Sequence, residues 1–113
     1  MPYKRFPTKM TLPKKFKENW INALTSGEYQ QITDTLCDEF GFCAVGVACN
    51  AAGVPEETLM NQSNVGNDLI TEYNLPFSSY KDDLLDVIID LNDHENLDFN
   101  KIASFIDENV EGV

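Results

Sequence analysis

Three cysteines and one histidine are the side chains of this chain that could bind zinc or supply a nucleophile and its base. They are Cys37, Cys43, Cys49 and His94. Structural zinc sites usually contain a closely spaced cysteine pair, which this spacing lacks. Free cysteine behaves as a small hydrophobic residue that is commonly buried. We therefore interpret the cysteines as core residues and expect no metal and no cofactor. A zinc site with His94 as the fourth ligand is the more specific alternative.

The stretch 90–98 places oxygen-bearing side chains at alternate positions between two expected helices, as an EF-hand calcium loop does. Glu95 stands where such a loop needs glycine for its turn, and Lys101 stands where its bidentate glutamate belongs. A lysine there would bring positive charge to the ion. We therefore expect no calcium site, and we interpret Asp90 and Asp98 as helix-end and cap residues.

Catalytic motifs are missing from the sequence. It contains no nucleophile elbow, phosphate-binding loop, dinucleotide-binding glycine motif or zinc-protease helix motif. The single histidine falls in a polar stretch, residues 92–97, so a Cys–His or Ser–His pair would require it to reach across the fold. The sequence therefore predicts no catalytic residues and a protein that is not an enzyme.

Negative charge is the strongest feature of the composition, with a formal net charge of -11 at pH 7. Residues 1–17 hold six of the eight basic residues and no acid, whereas residues 18–113 hold 19 acids against Lys81 and Lys101, a balance of -17. Such a body repels nucleic acid and anionic membranes and attracts basic protein surfaces. We therefore expect a protein partner with a basic surface, and neither direct nucleic-acid binding nor membrane binding.

Six acids in the C-terminal third are the candidate partner-binding residues. Apolar residues recur at helical spacing between positions 84 and 91, and the acids fall on the other side of that helix. Acids spaced along a helix present a row of charge similar to a row of phosphates. The resulting acidic face consists of Asp82, Asp83, Asp86, Asp90, Asp93 and Glu95.

Residues 43–52 are the stretch that the other elements must enclose. They are apolar apart from Asn50, which indicates burial on every side. Periodicity alone does not separate a short buried strand from a helix. Small residues at helical spacing and a glycine stop at Gly53 favour a helix. The sequence predicts a mainly α, compact single domain of five or six helices packed around this buried helix, and it leaves helix and one short strand pair open near 29–42.

The remaining elements follow from caps and periodicity. Residues 1–12 are basic, contain two prolines and show no helical period, so we expect a basic extended arm followed by a single helical domain at 13–113. No secretory signal is recognisable, which favours a cytoplasmic location. Helices are expected at 13–26, 55–60 and 68–73, from a capping motif at Ser79 through Leu91, and from Asp98 to Val110, with a polar loop at 92–97.

Two separated stretches together carry a resemblance. The first stretch reads W-x-x-A-L-x-S-G-x-Y-x-Q at residues 20–31 and leads to F-C-A-V-G-V-x-C at residues 42–49. The second stretch is L-N-D at residues 91–93, followed by Phe99, Ile102-Ala103 and Ile106. This order resembles a group of short proteins of unknown activity encoded by tailed phages and prophages, over roughly residues 16–110. Ala44-Val45 stands where that group usually has Cys-Leu, which argues against an obligatory metal role there. The resemblance implies a phage origin and no mechanism.

Charge and resemblance together predict the function. We expect a small acidic phage-derived binding protein that occupies a basic surface of a partner from the bacterial host, in the cytoplasm of the infected or lysogenic cell. Inhibition of a host or defence factor is the expected consequence, by analogy of class. Two alternatives stay open: a sponge-like module that binds a nucleotide or another small molecule, and a structural or assembly protein.

Overall fold

Six helices and two short strand pairs are present in residues 10–79 and 82–113, which are the residues that the computed structural model describes. The predicted mainly α single domain is confirmed. Within this part of the chain, no helix is both long enough and apolar enough to cross a membrane. The helices are α1 (Lys14–Thr25), α2 (Ala44–Ala51), α3 (Glu56–Leu59), α4 (Asn67–Glu72), α5 (Asp83–Asp93) and α6 (Phe99–Asn109). The strands are β1 (Met10–Leu12), β2 (Cys37–Asp38), β3 (Gly41–Phe42) and β4 (Val110–Gly112).

Helix α2 is the element that the other helices enclose. All of its residues from Ala44 to Cys49 are buried. Helices α1 and α5 pack against it, and α6 packs against both α1 and α5. A helix that is apolar on every side is stable only when it is covered on every side. The buried helix predicted at 43–52 is therefore present, with Cys43 as its N-cap and Gly53 just beyond its end at a positive φ of 108°.

Gly46 allows another part of the chain to approach α2 closely. A Cβ at this position would collide with the backbone carbonyl oxygen of Leu36. That carbonyl accepts a hydrogen bond from the Cys43 N–H at 3.1 Å, and the Cys43 sulfur accepts one from the Gly46 N–H at 3.4 Å. The glycine costs the helix about 1 kcal/mol relative to alanine, and the close approach of Leu36 is what requires it.

The segment that the sequence left open between helix and strand contains a hairpin. Strands β2 and β3 pair antiparallel and confirm a strand pair near 29–42. Gln31 forms a parallel bridge with Phe42 on one side of this pair, and Cys37 forms one with Met60 on the other. The hairpin is therefore hydrogen-bonded along both of its edges and is part of the packed domain.

Strands β1 and β4 form a second, parallel pair that the sequence did not predict. Met10 lies opposite Val110, and both side chains are buried. Leu12, 2% exposed, also belongs to the core. Residues 10–12 were expected in the extended arm, and they are extended but form part of the domain. The rest of the predicted basic arm, residues 1–9, lies outside the described residues.

Helix α5 begins and ends later than the sequence predicts. Its N-cap is Asp82, whose Oδ1 accepts a hydrogen bond from the Leu84 N–H at 2.9 Å, and not Ser79. Asn92 and Asp93, which were expected in a polar loop, form the last turn of the helix. The additional helical residues place the side chain of Asn92 in the core.

Replacing Gly46 with alanine should lower the free energy of unfolding by about 3 kcal/mol, because the added Cβ collides with the Leu36 backbone. Helix propensity alone predicts the opposite sign, since alanine is the better helix former. Urea denaturation followed by circular dichroism measures the difference. Gly66→Ala is the matched control: a Cβ there meets no atom within 4 Å, so the loss should be at most about 1 kcal/mol. Equal stability of the two variants would contradict the close approach at position 46.

Candidate interaction site

Asn92 is the one buried polar side chain in the described part of the chain, with 1% of its surface exposed. Its Oδ1 accepts hydrogen bonds from Gln31 Nε2 at 2.9 Å and from the Ala44 N–H at 3.2 Å. Its Nδ2 donates to the Ile32 carbonyl at 2.9 Å and to the Asp93 carboxylate at 2.8 Å. All donor and acceptor groups of this amide are therefore used within the protein.

These hydrogen bonds fix the C-terminal end of α5 against two other parts of the chain. One is the N-terminus of α2, and the other is the segment that bridges to β3 at Gln31. The same Gln31 Nε2 donates to the Leu97 carbonyl at 2.8 Å, which includes the loop after α5 in the network. Leaving one such buried group unpaired costs about 1–3 kcal/mol. The network therefore reinforces the orientation that the buried apolar side of α5 requires.

The outward side of α5 carries most of the predicted acidic face. Asp83, Asp86, Asp90 and Asp93 follow one another at intervals of three and four residues, so they share one face of the helix. The row from Asp83 to Asp93 is about 15 Å long at the rise of an α-helix. Asp83, Asp86 and Glu95 are exposed, whereas Asp90 and Asp93 are half-buried. The structure thus brings these predicted residues to one side and one end of the helix.

Asp82 has a structural role at the start of α5. Besides the Leu84 N–H, it accepts hydrogen bonds from the Ser78 N–H at 2.9 Å and from Ser78 Oγ at 3.1 Å. A carboxylate at this position also interacts favourably with the positive end of the helix dipole. Replacing Asp82 would therefore weaken the helix that presents the other acids.

Two further members of the acidic face contact neighbouring side chains. Asp90 Oδ1 lies 2.9 Å from His94 Nδ1, and Asp93 accepts from the Asn92 amide as described above. Among the six acids of the face, Asp83, Asp86 and Glu95 have no side-chain hydrogen bond or ion pair within the described residues. These three are the members of the face that are best placed to contact a partner.

Positive charge is scarce around this surface. The described residues contain four lysines and no arginine, and three of the lysines lie in α1. Lys17 contacts the carboxylate of Asp107 at 3.9 Å and the backbone carbonyl of the same residue at 3.3 Å. The sequence from Asp82 to Asp98 contains seven carboxylates and neither lysine nor arginine. The charge along α5 and the loop after it is therefore entirely negative apart from His94.

The three cysteines are buried and free, as interpreted from the sequence. Desolvation by burial raises the pKa of Cys43 to about 11 and that of Cys49 to about 12. Burial also raises the pKa of Cys37. The side chain of His94 is 73% exposed, so it does not join the cysteines, and in residues 10–79 and 82–113 no three His, Cys, Asp or Glu side chains are placed to hold a metal ion.

The loop that resembles an EF-hand uses its oxygen atoms for the fold. Asn92 points into the core, and Asp90 lies beside His94. Asp98 caps α6, with its Oδ1 accepting from the Lys101 N–H at 2.9 Å. The predicted helix-end and cap roles of Asp90 and Asp98 are confirmed.

Two surface cavities bear on the small-molecule alternative. One of about 270 Å³ lies between α1 and the C-terminal segment, where Lys14 and Lys17 face Glu18 and Asp107. The other, of about 210 Å³, is bounded by β1 and the start of α5 and includes Asp82 and Asp83. Pockets for drug-sized ligands are usually about 300–1,000 Å³. Both cavities are smaller than that, and carboxylates line each of them.

Several polar and aromatic residues of the stretches 20–31 and 91–93 hold the fold together. Trp20 Nε1 donates to the Ala44 carbonyl at 2.9 Å, and the Tyr29 hydroxyl donates to Asn50 Oδ1 at 2.7 Å. Gln31 and Asn92 form the network above. Sequence reasoning missed the role of Asn92, although a signal existed. Position 92 continues the buried row of α5 from positions 85 and 88, at intervals of three and four residues.

Similarity to known proteins covers one part of the chain. Residues 12–62 match a family model described as Domain of unknown function (DUF8296). The matched region includes α1, the hairpin, α2 and α3, and it ends before α5 and the acidic face. No curated protein and no solved structure matches the chain.

Replacing Asn92 with alanine should lower the free energy of unfolding by about 3 kcal/mol or more, because the Ala44 N–H and the Ile32 carbonyl lose buried partners. Chemical denaturation measures this loss. Asn100→Ala, which changes an exposed asparagine of α6, is the control and should stay within about 0.5 kcal/mol of the unmodified protein. A similar small effect for both variants would show that the network does not determine the position of α5.

Stability should fall as the pH rises above 9. In the unfolded chain a thiol releases its proton near the ordinary pKa of 9.0, whereas Cys43 and Cys49 retain theirs to about 11 and 12 in the fold. The folded state then binds more protons, so the free energy of unfolding decreases by about 1 kcal/mol per pH unit for each thiol. Well below pH 9 both states are protonated and this contribution is constant.

Urea denaturation at pH 8, 9.5 and 10.5 measures the effect. The Cys43→Ala/Cys49→Ala variant lacks both thiols and should show a shallower decrease between pH 9.5 and 10.5. An unchanged slope in that variant would exclude these cysteines as its cause.

Proposed function

We propose that this chain is a small, non-enzymatic binding protein of phage origin. Its acidic face occupies a basic surface on a protein of the bacterial host, in the host cytoplasm, and thereby inhibits a host or defence factor. The observation that carries the proposal is the row of carboxylates on α5 and in the loop directly after it, of which Asp83, Asp86 and Glu95 are exposed and unpaired within the described residues. The phage origin rests on the resemblance of residues 20–31, 42–49 and 91–106 to short phage proteins.

Electrostatics supports binding to a basic protein surface. A concentrated negative field raises the rate at which oppositely charged proteins meet and suppresses encounters with wrong partners. Salt screens this attraction over about 10 Å at moderate ionic strength. An exposed ion pair contributes only about 0–1 kcal/mol, so the acidic face provides orientation and speed of association more than affinity.

The rigidity of α5 also supports this use. Its inner side is buried at Leu84, Leu85, Val87, Ile88 and Leu91, and its end is fixed by the Asn92 amide. Carboxylates on a helix held in this way lose little backbone freedom when a partner binds. Lower ordering entropy means that more of the interaction energy appears as affinity.

The test is a charge reversal confined to the three exposed carboxylates, Asp83→Lys/Asp86→Lys/Glu95→Lys. Asp82 stays unchanged because it caps the helix. Immobilised wild-type and variant chains are compared for the proteins that they retain from a bacterial host lysate, measured by quantitative mass spectrometry. The variant should retain at least about tenfold less of the partner that the wild type enriches, and wild-type capture should weaken as salt is raised.

The matched control reverses three exposed acids elsewhere, Glu28→Lys/Glu72→Lys/Glu108→Lys, and has the same net charge as the test variant. It should retain the partner, and thermal denaturation should show both variants folded. Undiminished capture by the α5 variant would reject the acidic face as the binding surface. Equal losses in both variants would show that total charge, and not this face, controls capture.

A further inference from the structure

An aromatic side chain stands exposed at the tip of the β2–β3 hairpin. Phe40 is 70% exposed, and it is the only exposed aromatic side chain in residues 10–79 and 82–113. Phe42, two positions later, is buried and forms an edge-to-face contact with Tyr29 at 4.9 Å between ring centres. The fold therefore uses Phe42 for packing and leaves Phe40 in water.

The backbone that presents Phe40 is fixed from within the turn. The Oδ1 atom of Asp38 accepts hydrogen bonds from the Phe40 N–H at 2.7 Å and from the Gly41 N–H at 3.3 Å. A Cβ at position 41 would collide with the backbone carbonyl oxygen of Gln30, so the neighbouring segment passes directly against the turn. Asp38 and Gly41 thus fix the backbone that carries the exposed ring.

Both edges of the hairpin are hydrogen-bonded as well. The Phe42 N–H donates to the Gln30 carbonyl at 2.8 Å, and the Phe42 carbonyl accepts from the Ile32 N–H at 3.0 Å. On the opposite edge the Asn61 N–H donates to the Cys37 carbonyl at 2.7 Å. An aromatic ring on such a support loses little freedom on binding, which is the property of an affinity anchor.

The hairpin adjoins the C-terminal end of the acidic face. Ile32, which pairs with Phe42, is also held by the Asn92 amide, and Asn92 in turn bonds to Asp93. Ile32 and Asn92 therefore connect β3 of the hairpin to the C-terminal end of α5.

The charges beside Phe40 indicate which kind of partner could bind over it. Asp38 and Glu39 precede the ring in the same turn, and Asp34 is exposed before the hairpin. An anionic membrane, and a second copy of this acidic chain, would both be repelled. An apolar pocket bordered by lysine or arginine on another protein satisfies the ring and the carboxylates together.

We propose that Phe40 is the anchor residue of the interaction surface, inserting into an apolar pocket of the partner protein while Glu39 and the acidic face contact its basic border. This inference rests on the proposed function and deepens it, because exposed ion pairs alone supply little affinity. In interfaces a few buried aromatic or arginine side chains provide most of the binding energy, surrounded by weaker polar contacts.

The experiment uses the host protein that the wild-type chain enriches from lysate, purified and titrated calorimetrically with variants of the full chain at 50 mM and 300 mM NaCl. Phe40→Ser should weaken binding about 30-fold at both salt concentrations, because the lost contact is apolar. Val113→Ser is the matched control: Val113 is 74% exposed, and its loss should change affinity less than twofold. Both substitutions lie at exposed positions and should leave the melting temperature unchanged within a few degrees.

The charge-reversal variant of α5 separates the two proposals. If it loses affinity mainly at low salt while Phe40→Ser binds like Val113→Ser, the anchor is rejected and the acidic face stands. If Phe40→Ser loses affinity and the α5 variant does not, the acidic face is rejected, and the combined surface with it. Enrichment of no protein by the wild-type chain would overturn both.

A direct measurement of burial complements the affinities. In a Phe40→Trp variant the emission of the new indole should shift to the blue when the purified partner is added, while Trp20 is already buried and contributes a constant signal. Absence of a shift at saturating partner would overturn insertion of the ring. Sedimentation velocity of the chain alone tests whether a second copy of the chain covers the ring. If the chain self-associates, and Phe40→Ser abolishes this self-association without changing partner binding, the ring contacts a second copy.

Discussion

The amide of Asn92 joins parts of the chain that sequence order keeps far apart. It accepts from the N-terminus of α2, donates to the segment beside β3, and stands at the end of α5. A buried amide that lacks its hydrogen bonds raises the free energy of the fold. Arrangements of these elements that break the hydrogen bonds of Asn92 are therefore less stable. The buried apolar residues of α5 and this side chain together determine the orientation of the helix, and with it the outward direction of the acidic face.

Close backbone contact is the second constraint, and Gly46 makes it possible. The Leu36 carbonyl lies where a side chain at position 46 would be, and it binds the N–H at the start of α2. The same approach brings the hairpin onto the helix. Cys43, the N-cap of α2, and Cys49 within the helix are both buried, and desolvation raises the pKa values of their thiols.

The acids of α5 divide between folding and exposure. Asp82 caps the helix, while Asp90 and Asp93 pair with neighbouring side chains. The exposed carboxylates gain nothing from such contacts, and their mutual repulsion opposes the compact state. The apolar side of α5 and the Asn92 network offset that repulsion. The proposed function gives these exposed charges a counterpart on another protein, and Phe40 would add the apolar contact that the charges lack.

Much of the fold follows from the sequence alone. Helical periodicity and caps are local properties, so the buried helix at 43–52, the amphipathic α6 and the cap at Asp98 were predictable. Net charge and its concentration after residue 17 also need no structure.

Only the tertiary structure decided the contacts between distant segments. The pairing of β1 with β4, the inward turn of Asn92 and the approach of Leu36 to Gly46 join residues that no local pattern connects. The tertiary structure also decided which acids of the face are exposed. An aspartate that caps a helix and one that faces water are the same residue in the sequence. A periodic pattern determines which side of an element is apolar, whereas packing against the other elements determines what that side meets.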